Sequence, residues 1–140
     1  MSDRIFLDTN VFVYALSKSV PPKQVIASRL VEEAIESGKG TISFQVVQEF
    51  FNVALRRFTP PMTPAEAEQY LSVTFRPLLA VHSSPSLYGE ALQFFGKHRI
   101  SWYDALIVAA AIEGQCGILC SEDFQHGQRF LNLRVQNPFL

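Results

Sequence analysis

The chain has 140 residues, 48% of them hydrophobic and 18% charged, which excludes a disordered protein and fits one domain around a single core. Twelve basic against 13 acidic side chains leave a net charge of −1. There is thus no basic excess to grip nucleic acid through its phosphates alone, and any nucleic acid must be held by local charge, a bound metal or a partner.

At the N-terminus, Asp3 and Arg4 precede only three apolar residues before Asp8, which is no signal peptide. Ile5-Phe6-Leu7 reads as a strand, and Asp8-Thr9-Asn10 after it carries helix-start chemistry. Pro21-Pro22 punctuates a loop, and Gln24 to Ser37 has apolar residues at helical spacing until Gly38 and Gly40 stop it. Thr41-Ile42-Ser43-Phe44 reads as a second strand, followed by helical periodicity from Gln45 to Phe58. Thr63-Pro64-Ala65-Glu66 opens another helix, with Pro at the first helical position and an acid at the third. Pro77 ends that helix, Leu78 to His82 reads as a third strand, and Ser84 to Gly96 and Ser101 to Glu113 read as helices.

Gly117 to Cys120 is a fourth, apolar strand, and Leu133 to Val135 a weaker fifth. Cys116 and Cys120 have neither the redox spacing nor a matching Cys/His pair for zinc, so they read as reduced core thiols of a cytosolic protein. The longest apolar run, Ala105 to Ile112, is too short to span a bilayer. Short apolar strands alternating with helices predict an α/β fold with a mainly parallel sheet covered on both faces. Ligands of such sheets bind beyond the carboxyl ends of the strands, so the residues there carry the functional argument.

Asp8 closes the first strand and Asp123 follows the fourth, which places both on one rim if those strands are parallel neighbours. Each also has a plain structural reading, Asp8 or Asn10 as a helix cap and Asp123 as a turn former. Asp104 is the only charge in Trp102 to Ile112, a helix apolar on every side, where a carboxylate is costly unless paired or bound to metal. Ser101 three residues before it also resembles a capping box, and the helix dipole favours an acid there. Glu49 lies off the centre of its helix's apolar stripe, with Asn52 and Val53 rather than a base at i+3 and i+4. Chemistry gives the set a common purpose: hard cations such as Mg²⁺ or Mn²⁺ take oxygen ligands and let like-charged carboxylates share a site. One or two such ions would bind a scissile phosphate, activate water and stabilise the leaving oxygen.

Leu7-Asp8-Thr9-Asn10-Val11, Gln48-Glu49-Phe50, Trp102-Tyr103-Asp104-Ala105-Leu106-Ile107 and Ser121-Glu122-Asp123-Phe124 together resemble the ordered motifs of PIN-domain ribonucleases, and more narrowly the VapC-like toxins of type II toxin–antitoxin pairs. The resemblance runs from Ile5 to Asn137-Pro138-Phe139. It implies a three-layer α/β/α sandwich, Mg²⁺ or Mn²⁺ dependence and endonucleolytic RNA cleavage, in a chain whose lack of a signal peptide and reduced thiols already place it in the cytoplasm. It also implies a homodimer and an antitoxin partner that blocks the site. In family terms Asp8, Glu49, Asp104 and Asp123 are the acidic quartet and metal ligands, with Thr9, Asn10 and Ser121 in support. Glu122 stands beside Asp123, and the Ser-x-Asp spacing of the motif selects Asp123.

Three other readings compete. A metal-free ribonuclease would use two of His82, His98 and His126, of which His82 ends a strand and could approach the rim. A phosphoacceptor signalling domain would need an acidic pair after the first strand, where Asp8 stands alone, and an Asp after the third, where Val81-His82-Ser83 stands. A catalytically silent PIN-like RNA-binding module would have no chemical reason to keep Asp104. Arg56-Arg57 reads as a helix end, Lys97-His98-Arg99 as a solvated loop and Trp102 as packing beside the site.

Overall fold

Ile5-Phe6-Leu7 forms the central strand of the computed structural model, which describes residues 2–140. Its neighbours in space come from distant parts of the chain. The elements run β1 (Ile5–Leu7), α1 (Thr9–Leu16), α2 (Pro21–Ser37), β2 (Gly40–Ser43), α3 (Phe44–Ala54), α4 (Pro64–Tyr70), β3 (Leu79–Val81), α5 (Pro85–Lys97), α6 (Trp102–Glu113), β4 (Ile118–Cys120), β5 (Arg129–Phe130) and β6 (Leu133–Gln136). The sheet order is β3-β2-β1-β4-β6-β5, with every pair parallel except β5 and β6. The α/β expectation therefore holds, and the apolar strands alternating with helices are its cause.

Register is what positions the site. Leu7 pairs with Cys120, and the Asp8 amide donates to the Cys120 carbonyl at 3.0 Å. The residues following β1, β2 and β4 thus leave the sheet at one rim. Gly40 lets α2 lie close to β2, since a Cβ there would come 2.6 Å from the Ala34 Cβ and 2.7 Å from Leu78 Cδ2. Gly38, at φ 70°, ends α2 in the left-handed conformation.

The core includes Phe6, Leu7, Phe12, Phe50, Phe75, Ile107 and Leu119, all at most 2% exposed. Around α3, Phe50 stacks on Tyr70 at 5.1 Å and meets Phe75 edge-on at 5.2 Å, while Phe12 meets Phe75 at 5.0 Å. Such pairs contribute about 0.5–1.5 kcal/mol each beyond the area they bury. They anchor the helix turn that carries Glu49. α6 is buried continuously from Ala105 to Ala111, as its all-apolar sequence requires.

Several boundaries differ from the sequence expectation. Pro21-Pro22 is the first turn of α2 and not a loop, because Pro needs no partner for its missing amide there. The helix expected to reach Phe58 ends at Ala54, whose carbonyl accepts from Met62 as the chain folds back. Phe58 still packs on Phe50, at 6.0 Å, so its apolar periodicity persists without a helix. α4 opens with the expected Thr63–Glu66 capping box but runs into a π-helical segment, Leu71–Phe75, which turns Thr74 and Phe75 inward. The two-residue β5 was not anticipated. Among the described residues, no helix is long and apolar enough to cross a membrane.

Candidate active site

Asp8 is the N-cap of α1 and also the most buried acid at the rim, 3% exposed. Its Oδ1 accepts from the Thr9 amide and its Oδ2 from the Ser121 hydroxyl, both at 2.7 Å. Burial pushes its carboxyl up to about 7 against the pull of those two bonds, and the nearby charges of Asp123 and Glu49 push further. The cap and the functional reading of Asp8 thus describe one geometry: the strand end buries the carboxylate, and the helix start supplies its donor.

Two residues of α1 reach Glu49 and Asp123. The Thr9 hydroxyl donates to Glu49 Oε1 at 2.8 Å, and Gln45, one turn earlier on α3, lies 3.4 Å from Oε2. The Asn10 amide nitrogen donates to Asp123 Oδ2 at 3.0 Å and approaches the Ser121 hydroxyl at 3.4 Å. Ser121, fully buried, also accepts from the Asp123 amide at 3.0 Å, which turns the chain back over the rim. Asn10 Oδ1 is buried without a hydrogen-bond partner among the described residues.

Asp104 arrives from the start of α6, where Ser101 caps the helix by accepting from the Asp104 amide at 3.1 Å. Its carboxyl is raised by burial and then by the charge of Asp123, with the Ser101 hydroxyl opposing and Glu49 adding a smaller push. Asp123 and Glu49 therefore act on both Asp8 and Asp104, and the four acids share one field. Among the described residues, the ion pairs are Lys23–Glu122 and Lys39–Asp3, so none of the four is neutralised by a base.

Glu122 points elsewhere. Tyr14 donates to its Oε1 at 2.5 Å and Lys23 to its Oε2 at 2.8 Å. Burial raises its carboxyl, but these two bonds outweigh that and hold it below the usual range. Asp123, and not its neighbour, meets Asn10 and Ser121. Tyr14, Lys23 and Gln45 were missed in the sequence; only Gln45 left a signal, its i,i+4 spacing to Glu49.

The three histidines do not assemble. His82 sits against the Phe44 ring at 5.9 Å and not among the acids, His98 packs on Phe130 at 4.8 Å, and His126 accepts from the Asn137 amide at 3.0 Å. Lys97 and Arg99 are exposed at the end of α5, as expected of a solvated segment, while His98 between them is half-buried against Phe130. Cys116 and Cys120 are free and buried, as expected.

A cleft of about 460 Å³ opens over Thr9, Asn10, Tyr14, Glu49 and Asp123. As the side chains stand, no three His, Cys, Asp or Glu groups among the described residues converge tightly enough to enclose a metal ion. The donor set is nonetheless oxygen-rich and anionic, with an unpartnered Asn10 carbonyl beside it, which is the chemistry of a hard-cation site. Mg²⁺ keeps several waters and needs only one or two direct carboxylates, so an open arrangement fits it better than a closed cage.

Solved structures with this architecture include VapC20 of Mycobacterium tuberculosis, described as a sarcin-ricin loop cleaving toxin, at TM-score 0.63 and 20% identity over 93% of this chain and 98% of that one. A toxin–antitoxin complex from Klebsiella pneumoniae matches at TM-score 0.64 and 15% identity, over 96% of this chain and 97% of that one. VapBC2 of Rickettsia felis, bound to a DNA fragment from its promoter, matches at 0.63 and 19%, over 95% and 97%. No curated protein sequence matches the chain. The PIN domain family matches residues 5–128, covering the first strand through the segment after Asp123. By that match, this chain belongs to the PIN-domain family.

Proposed function

We propose that the protein is a metal-dependent endoribonuclease that acts as the toxin of a toxin–antitoxin pair. The observation that carries the reading is the buried Asp8 at the rim of the sheet, sharing its field with Asp123 and Glu49 and with no base to neutralise it. Burying carboxylates together costs stability, and a site that binds cations offsets that cost when it is loaded. The toxin role draws support from the similar structures, a sarcin-ricin loop cleaving toxin and toxin–antitoxin complexes.

Asp8, Asp104, Asp123 and Glu49 would hold Mg²⁺ or Mn²⁺, with Asp8 the fixed point because Thr9 and Ser121 lock its orientation. Such an ion supplies Lewis acidity at the scissile phosphate and acidifies water. Thr9 holds Glu49 toward the cleft, and Asn10 and Ser121 hold Asp123 there. Among the described residues no Lys or Arg lines the cleft, so RNA affinity depends on the ion and on contacts beyond it.

The test is cleavage of bulk cellular RNA by the purified protein with Mn²⁺ and with excess EDTA. Cleavage with the ion and none with the chelator is expected; cleavage that ignores EDTA removes the carboxylate mechanism.

The same reading includes an antitoxin that covers the cleft and a homodimer. The dimer draws support from α5, where Tyr88, Leu92 and Phe95 are 43%, 59% and 48% exposed at i, i+4 and i+7, an apolar stripe facing solvent. A dimeric mass in sedimentation, reduced to a monomer by Leu92→Glu, is expected. A monomeric parent overturns the dimer.

A further inference from the structure

Beside the acidic cluster lies a second cavity, of about 390 Å³, that the catalytic reading does not use. We propose that it holds one unpaired nucleobase of the RNA, next to the bond to be cut; the inference takes its substrate from the nuclease reading above.

Position is the first argument. The cavity opens at the same rim, between the start of α3, the residues after β3 and the starts of α5 and α6. Gln45 forms the wall shared with the acids: its amide nitrogen lies 3.4 Å from Glu49 Oε2 and 3.3 Å from the Tyr103 carbonyl. Asp104 is the next residue after Trp102 and Tyr103 in the first turn of α6. A nucleotide in the cavity would place its phosphates toward the carboxylates.

The lining is the second argument. Among the described residues, no Asp, Glu, Lys or Arg lines it, which disfavours a phosphate or a charged peptide side chain. Four aromatic rings line it in two pairs, Tyr88 and Trp102 with centroids 6.4 Å apart, and Phe44 with His82 at 5.9 Å. Between them come the amides of Gln45 and Gln48. Ser43, 3% exposed, also lines the cavity, and its hydroxyl is buried without a hydrogen-bond partner. A purely apolar occupant would cover the Gln48 amide and give the Ser43 hydroxyl no partner. A base offers π-faces for the rings and a hydrogen-bonding edge for amides and hydroxyl, the pattern by which proteins take single-stranded RNA. The volume is within the range of about 300–1,000 Å³ usual for small-ligand pockets.

Trp102 is the single tryptophan and reports on the cavity directly. The experiment titrates the full-length protein, with Ca²⁺ in place of Mn²⁺ so that the acids are occupied by a weaker Lewis acid, with a mixed-sequence hexaribonucleotide and with the same backbone lacking bases. Saturable change in Trp102 emission by the first, and at least a fivefold weaker response to the second, is expected. His82→Ala and Gln48→Ala, both at exposed positions off the α5 stripe that leave the core intact, should each weaken the titration by about 5- to 150-fold, the range for one stacked base or its contacts. Equal response to the base-free backbone overturns the proposal, as does emission that changes with protein concentration alone and not with RNA, the sign of a second copy filling the cavity. RNA cleavage with Mn²⁺ but silent Trp102 emission also overturns it and leaves the nuclease reading standing. Base-dependent emission without cleavage upholds the cavity and removes the nuclease.

Discussion

Asp8→Asn is expected to lose RNA cleavage by at least about 100-fold, the upper end of what losing a group one step behind a metal ligand costs. In EDTA at pH 7.5 the same variant should melt at a higher temperature than the parent. The reason lies in the proton balance. An unfolded Asp gives up its proton near its ordinary 3.8, whereas the folded protein keeps it until about 7. The folded state therefore binds more protons over that window, and stability falls as pH rises through it. The contribution is fully present below about 4 and lost by about 7. A displacement of that size corresponds to about 4 kcal/mol, of which we expect about 1–3 kcal/mol in the melting of Asp8→Asn. The remainder covers re-pairing of the amide with the Ser121 hydroxyl. Asn caps a helix as well as Asp does, so the bond from the Thr9 amide survives. Between pH 7.5 and 5 the parent should gain stability and the variant should gain less. A variant that cleaves at the parental rate, or that melts lower in EDTA, would sink the assignment of Asp8.

Added metal should stabilise the parent by the same electrostatics in reverse. At 100 times its dissociation constant a ligand of the folded state contributes about 2.7 kcal/mol. For a chain of this size that is roughly 5–15 °C in melting temperature. Mn²⁺ or Mg²⁺ at pH 7.5 should produce such a rise, and Asp8→Asn or Asp123→Asn should reduce it. Near pH 5 the rise should shrink, because the raised carboxyls of Asp8 and Asp104 then hold protons that compete with the cation. Differential scanning fluorimetry across that pH range reads both effects. Superimposable melts with and without either ion at pH 7.5 would refute a cation site on these acids.

Much of this molecule is written locally. Ile5-Phe6-Leu7 and Gly117 to Cys120 are apolar runs whose burial requires a covered sheet, and the acids that follow them fall on one rim of it for that reason alone. Asp104 betrayed itself as the single charge in a helix with no polar face. The capping chemistry of Thr63 and Ser101 was equally legible, since a cap is a contact between residues three apart.

What the sequence did not contain were contacts made across the chain. Apolar spacing continued through Phe58, but the helix stops at Ala54, where Met62 folds back and the Phe50, Phe75 and Tyr70 rings gather. The choice between Glu122 and Asp123 was made by Tyr14 and Lys23, 108 and 99 residues away, which hold Glu122, and by Asn10 and Ser121, which hold Asp123. The aromatic cavity beside the site likewise takes its walls from four separate elements. Periodicity and capping follow from geometry along one stretch of backbone, so sequence alone determined most of the elements, the rim and the candidate acids. The direction of each side chain and the shape of the space between elements follow from which distant residues pack together, and only the tertiary structure decided those.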